Sequence, residues 1–143
     1  MTAVSALTPI VITHESGLRF GAQVRSHHIV VDQPKNAGGG DAGPMPLEML
    51  GVSLGTCVAL YVQQFCHARK LPYEGMRVEV EQHGASNPAR IAEFVVRVIL
   101  PTELSDQQMV MLERAARSCP AHHTLEAGAK ISIEFQMPVT ATV

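Results

Sequence analysis

Apolar and polar residues follow two different periods along this chain, and the strand-like period comes first. Six runs are either rich in β-branched residues or alternate between apolar and polar positions, which is the pattern of strands. They span residues 10–13, 18–25, 28–31, 76–82, 91–100 and 130–137. The first three are separated by short turns and predict an antiparallel meander, and the fourth and fifth predict a hairpin.

Helices are predicted in three segments, by helical spacing of apolar residues or by start signals. They span residues 46 to about 70, 105 to about 117 and 120 to about 128. Pro46 and Pro120 suit the first turn of a helix, and Ser105 with Gln108 forms a capping-box pattern. Because the first helix is apolar nearly all round, we expect it to be covered on most sides.

The segment between the third strand and the first helix, residues 34–44, is so rich in glycine and proline that it predicts a mobile loop. The elements together predict an α+β protein of about six strands and two or three helices, without an internal repeat. At 143 residues the chain has the size of one ordinary domain, so we expect a single domain over residues 1–143.

Charge and composition exclude several classes of function. The formal net charge is −2 with scattered lysines and arginines, so a nucleic-acid partner is not expected. Polar residues interrupt the apolar run 49–66, which we interpret as a buried core helix and not as a membrane span. The first residues lack the pattern of a signal peptide, which predicts a cytoplasmic protein with free thiols.

Cys57 and Cys119 are the candidate reactive groups. Cys57 lies in the apolar helix, where a thiol usually packs as a small hydrophobe and burial makes it inert. It would be reactive beside a cation, or at a helix N-terminus created by a break at Gly51 or Gly55. Cys119 precedes Pro120 near a helix N-cap, where free N–H groups and the helix dipole favour a thiolate.

The third thiol and the histidines point less clearly to chemistry. Cys66, near the end of the long helix, is interpreted as a packing residue. Cys119 and His122 have the spacing of half a metal site, to which His123 or another cysteine could add ligands. A second half-motif is missing, so a zinc site is disfavoured and neither metal nor organic cofactor is expected.

The segment from Gly39 through Pro46 to Cys57, followed by Ser-Cys119-Pro, resembles the OsmC/Ohr family of osmotically induced and organic-hydroperoxide-resistance proteins. The resemblance implies an OsmC-like fold, in which antiparallel sheets wrap around a long buried central helix. It also implies an intertwined homodimer with two sites at the interface, each holding a peroxidatic and a resolving cysteine. Members of the active branches reduce organic hydroperoxides.

By position, the resemblance implies that Cys57 is the peroxidatic thiol and Cys119 the resolving one. It also implies an arginine that stabilises the thiolate, for which Arg19 is the best match and Arg25 the reserve. The hydroperoxide-resistance pattern has glutamate ten residues before the cysteine, whereas here Glu48 stands nine before it, on roughly the opposite helix face. Two roles therefore stay open for Glu48: catalysis, or a carboxylate charge that is favourable in the first turn of the helix. The shifted glutamate also makes the chain resemble the less characterised OsmC-like branch.

The resemblance favours one function and leaves an alternative from another class. The first is thiol-dependent reduction of organic hydroperoxides without a cofactor, with regeneration by an external thiol such as a small dithiol or a dihydrolipoyl group. The alternative is a non-enzymatic OsmC-fold protein that binds a small apolar ligand at the dimer interface. Both cysteines at family positions favour the enzyme, and the shifted glutamate favours the alternative.

Overall fold

The computed structural model describes residues 7–138 and shows a mixed α/β fold with antiparallel sheets and three helices. The strands are β1 (Val11–Ser16), β2 (Arg19–Val24), β3 (His27–Val31), β4 (Arg77–Ala85) and β5 (Arg90–Ile99). The helices are α1 (Pro46–Ala68), α2 (Asp106–Arg117) and α3 (Pro120–Ala127). The α+β class that the sequence predicts is confirmed.

The strands form two separate antiparallel sheets. One is the meander β1-β2-β3, and the other is the hairpin β4-β5, in which Val80 lies opposite Val96. Along β4 the residues alternate between exposed and half-buried positions, with Val78 and Val80 turned inward and Glu79 and Glu81 outward. The alternation of apolar and polar residues in β4 therefore corresponds to one face that packs inward and one face that is exposed to solvent.

The long helix α1 packs one face against β4, β5, α2 and α3. Its glycines allow a close approach to β4, because a Cβ atom at Gly55 would lie 2.8 Å from a methyl group of Val80. A Cβ atom at Gly51 would lie 2.9 Å from the side-chain nitrogen of Gln82. The helix is continuous over its 23 residues, so the break that we considered at these glycines does not occur. Their role is packing.

The core lies between α1, α2 and the start of α3. Its buried members are Leu54, Val58, Val62, Phe65, Cys66, Leu112 and Cys119. By length and composition α1 could also cross a membrane, a test that core helices pass too. Its packing against four other elements agrees with the core helix that we expected.

The opposite face of α1 is not covered in the single chain. Leu50, Val52 and Leu60 on that side are 40–51% exposed. The first sheet β1-β2-β3 makes no contact with α1 as extensive as those of β4, α2 and α3. The prediction that α1 is covered on most sides is therefore wrong for the single chain, because only one of the two sheets packs on this helix.

The segment 130–137, which we expected to form a strand, is neither helix nor strand in the structure. Its apolar residues Ile131, Ile133, Phe135 and Met137 are 77–92% exposed. A strand needs a neighbour for its backbone hydrogen bonds, and within the described residues this segment pairs with none. The sequence alternates as a strand does, but the described part of the single chain has no neighbouring strand to hydrogen-bond with it.

The glycine-rich segment 34–44 is tied to a buried carboxylate that the sequence did not reveal. Asp32 is almost fully buried and accepts hydrogen bonds from the backbone N–H groups of Gln33, Gly40 and Ala42 at 2.8–3.1 Å. These bonds, that of Ala42 foremost, lower the pKa of Asp32. The segment that we expected to be mobile is therefore anchored in its second half, through Gly40 and Ala42.

Candidate active site

Cys57 and Cys119 come together although 61 residues separate them in the sequence. Cys57 lies in the middle of α1 and Cys119 is the N-cap of α3, and these two helices pack against each other. Cys57 packs against the buried cluster to which Cys119 belongs, and the pKa of the Cys119 thiol is raised by burial and further by the neighbouring Cys57 thiol. The fold therefore places two free thiols near each other.

The Cys119 thiol is fully buried, with 0% of the residue exposed. Its Sγ atom accepts a hydrogen bond from the backbone N–H of His122 at 3.2 Å, as an N-cap side chain does. Burial nevertheless raises the pKa of Cys119, the neighbouring Cys57 thiol raises it further, and the His122 N–H opposes this only in part. The N-cap position is confirmed, but the favoured thiolate is a wrong prediction because burial outweighs the cap.

Cys57 is the more accessible member of the pair. It is half-buried beside the core, whereas we expected a buried residue. Because α1 has no break at Gly51 or Gly55, Cys57 does not sit at a helix N-terminus. Of the two cysteines, only Cys57 therefore has an appreciable part of its residue surface exposed to solvent.

Cys66 does not belong to this pair. It lies nine residues after Cys57, which is two and a half turns of an α-helix and therefore the opposite side of α1. The residue is fully buried, and burial raises the pKa of its thiol, which the charge of Arg69 opposes. Its position in the core agrees with a packing residue.

Glu48 lies in the first turn of α1 and faces away from the thiol pair. Its carboxylate accepts a hydrogen bond from the backbone N–H of Met45 at 2.8 Å, which satisfies a donor at the start of the helix. Together with Gly51 and Gly55 it borders a groove between α1 and β4. Of the two roles that we considered for Glu48, this position agrees with the favourable charge in the first turn of the helix.

Arg19 and Arg25 lie on the first sheet, apart from the thiol pair of the same chain. Arg19 is paired with Glu15 at 2.6 Å, and its charge helps to lower the pKa of Asp32. Arg25 is exposed in the turn between β2 and β3. Since this sheet does not pack extensively on α1, one chain does not bring either arginine to Cys57.

A cavity of about 850 Å³ opens between α1, β5 and α2, and it is lined by neighbours of the two cysteines along the chain but by neither cysteine. Leu54 and Val58, which flank Cys57 on α1, contribute to its wall. The remaining wall is mainly apolar, with Phe94, Val96, Val98, Leu100, Leu104 and Met109 among its residues. The sequence did not reveal this cavity, because the pattern that puts apolar residues inside does not tell whether they fill the space.

The fold and the site define a mixed α/β protein with a dithiol site beside an apolar cavity. A model of the family described as OsmC-like protein matches residues 38–134, a range that includes both thiols and the elements that carry them. This range is more than half of the chain, so the chain belongs to the OsmC-like family. A comparison with curated proteins finds no match.

Solved structures share the fold at low identity. A Psychrobacter arcticus protein described as an osmotic stress induced and detoxification response protein has a TM-score of 0.76 and 22% identity, over 84% of this chain and 89% of that chain. An OsmC-like protein from Mycoplasma pneumoniae has a TM-score of 0.73 and 18% identity, over 87% and 89%. An organic hydroperoxide resistance protein from Legionella pneumophila has a TM-score of 0.58 and 13% identity, over 85% and 91%. Such identities show the fold alone.

Proposed function

We propose that this protein reduces organic hydroperoxides with the thiol pair Cys57 and Cys119. The observation that carries the proposal is the proximity of the half-buried Cys57 to the fully buried Cys119. A peroxidase of this type needs one thiol that a peroxide can reach and a second thiol within bonding distance of the first. We propose Cys57 as the peroxidatic thiol because it is the more exposed residue of the two, and Cys119 as the resolving thiol.

In the proposed reaction the Cys57 thiolate attacks the terminal oxygen of the hydroperoxide and breaks the O–O bond. The products are a Cys57 sulfenic acid and an alkoxide, which takes up a proton and leaves as the alcohol. The Cys119 thiol then attacks the sulfenic sulfur, which forms a disulfide and releases water. An external dithiol, of a small-molecule or lipoyl type, reduces the disulfide and is itself oxidised.

The cavity supports an organic substrate. Its wall includes Leu54 and Val58, the neighbours of Cys57 on α1, although neither thiol lines it, so we propose that it receives the alkyl or aryl group of a hydroperoxide. The Legionella pneumophila structure of the same fold is described as an organic hydroperoxide resistance protein, which points to the same class of substrate. Reduced thiols are needed in every cycle, which fits the cytoplasmic location that we propose.

We also propose that the working unit is a homodimer of single-domain chains in which sheets of both copies surround the α1 helices. The outer face of α1 is uncovered in the single chain, and the apolar side chains of Ile131, Ile133, Phe135 and Met137 in segment 130–137 are 77–92% exposed. Apolar surface of this extent is typical of an interface between protein chains.

A dimer also offers a place for the missing cation. The first sheet leaves its own α1 uncovered, so a second copy could lay its first sheet there and bring its Arg19 towards Cys57. A guanidinium beside Cys57 would stabilise the thiolate. We therefore propose Arg19 as the activating residue, acting between chains, with Arg25 as the reserve.

The test treats reduced protein with one equivalent of cumene hydroperoxide and examines its cysteine peptides by mass spectrometry. Wild type should consume the peroxide and form the link between Cys57 and Cys119. Cys57→Ser should lose turnover, and Cys119→Ser should stop at a sulfenic acid that dimedone traps. Cys66→Ala is the matched control and should behave as wild type. Absence of both the link and peroxide consumption in wild type would overturn the proposal.

A second candidate function is the binding of a small apolar ligand without chemistry. The size of the cavity favours it, as does the use of Glu48 for the helix start and not for the thiol pair. Titration calorimetry with cumyl alcohol, which has the shape of the peroxide but no O–O bond, separates the two candidates. Binding by a protein that consumes no peroxide would favour this second function.

A further inference from the structure

Three side chains on α3 form a cluster of potential metal ligands on the surface. They belong to His122, His123 and Glu126, and their ligand atoms all lie within 4.8 Å of one another. Nε2 of His122 is 3.7 Å from a carboxylate oxygen of Glu126, one helical turn further on. Two imidazoles and a carboxylate within this distance need only small side-chain rotations to reach one ion.

The hydrogen bond of His122 prepares its ring for such a role. Nδ1 lies 3.1 Å from the carbonyl oxygen of Arg117, and because a carbonyl oxygen only accepts, this contact is a hydrogen bond when the proton is on Nδ1. In that tautomer Nε2, which lies 3.7 Å from Glu126, is the nitrogen that can bind a metal. Metal-binding histidines in proteins usually have this second bond, because it fixes the tautomer and the orientation of the ring.

The surroundings of the cluster allow an ion to enter. His123 and Glu126 are exposed, and His122 is half-buried, so water can complete the coordination. Cys119 has the sequence spacing of a ligand to His122, but its sulfur is buried and already accepts the His122 N–H. The ligand set is therefore nitrogen and oxygen, without sulfur.

We propose that His122, His123 and Glu126 form a surface site for a divalent transition-metal ion such as Zn²⁺ or Ni²⁺. Imidazole ligands select these ions over Mg²⁺ and Ca²⁺, which prefer oxygen ligands only. The ligands come from the first two turns of α3, whose N-cap is Cys119. Because the ion binds only when these turns are helical, it stabilises the part of the fold that holds the resolving thiol.

Titration calorimetry with ZnCl₂ on the reduced protein tests the site, with thermal unfolding as a second readout. Wild type should bind one ion per chain and unfold at a higher temperature with zinc. His123→Ala and Glu126→Gln should each bind at least about tenfold more weakly and lose the zinc-dependent shift. Alanine is a strong helix former, so His123→Ala should fold as wild type does.

Two controls separate this site from other zinc ligands. His27→Ala removes an exposed histidine on β3 and should bind zinc as wild type does. Cys57→Ser breaks the thiol pair, which is the competing zinc ligand, and should also bind as wild type does. Unchanged binding in His123→Ala together with loss in Cys57→Ser would place zinc on the thiols and overturn the proposal. Absence of binding to wild type would also overturn it.

Discussion

Closure of a disulfide between Cys57 and Cys119 should stabilise the fold by an amount that follows from the chain between them. Oxidation with one equivalent of hydroperoxide closes a loop of 63 residues, counted from Cys57 to Cys119. Loss of loop entropy in the unfolded chain then contributes about 4 kcal/mol. We expect oxidation to break the hydrogen bond from the His122 N–H to Sγ of Cys119, and this loss reduces the gain by about 1 kcal/mol.

The expected net gain is therefore about 3 kcal/mol, which corresponds to a rise in Tm of about 6–12 °C for a chain of this size. The assay is urea unfolding of reduced and oxidised protein, followed by far-UV circular dichroism at one protein concentration and without reductant. Nonreducing gel electrophoresis should show the monomer mass after unfolding, because the two thiols meet within one chain.

Cys119→Ser provides the control, because it can be oxidised at Cys57 but cannot close the loop. Its stability should not rise after peroxide treatment. The reasoning would be refuted if oxidised wild type unfolded at the same urea concentration as reduced wild type. It would be refuted as well if the gain persisted in Cys119→Ser, or if the link joined two chains.

Three further predictions test the fold around the site. Gly55→Ala should be about 1–2 kcal/mol less stable than Gly51→Ala by urea unfolding, because the new Cβ meets a stiff methyl group of Val80 in the first case and a flexible amide in the second. The depressed pKa of Asp32 gives stability that is complete above its unfolded pKa of about 3.9 and is lost as pH falls towards the lower folded value. Asp32→Asn should therefore flatten this loss below about pH 4 in acid titrations of Tm, and an unchanged profile would contradict the assignment. Glu48→Gln should keep wild-type peroxide turnover and lose less than about 1 kcal/mol of stability, and a loss of turnover would return Glu48 to catalysis.

The sequence predicted the elements that repeat a simple period. The five strands and three helices lie within a few residues of the expected positions, because β-branched runs, alternation, helical spacing and helix start signals are all local features of the sequence. The N-cap position of Cys119 was also predictable, since a proline directly after a residue marks the start of a helix. Local patterns of this kind need no knowledge of the rest of the fold.

Contacts between distant segments were beyond these patterns. Asp32 holds the glycine-rich segment through residues 8 and 10 positions away, and nothing in its neighbours distinguishes it from a surface aspartate. The pKa of Cys119 depends on how deeply α3 is packed, which its own sequence does not state. The meeting of Cys57 with Cys119 came only from the family resemblance, because spacing along the chain does not show which helices touch.

Local sequence patterns also do not tell whether a contact forms within one chain or between two chains. Arg19 and segment 130–137 both lack their expected neighbours within one chain. Arg19 lies on the first sheet, which does not pack extensively on α1 of the same chain. Segment 130–137 has the alternating pattern of a strand, but among the described residues no strand pairs with it. Both features fit the homodimer that we propose. In such a dimer the second copy would provide the cation and the neighbouring strand that one chain lacks. The thiol pair forms within one chain, whereas its cover and its activating charge are features that we expect from two.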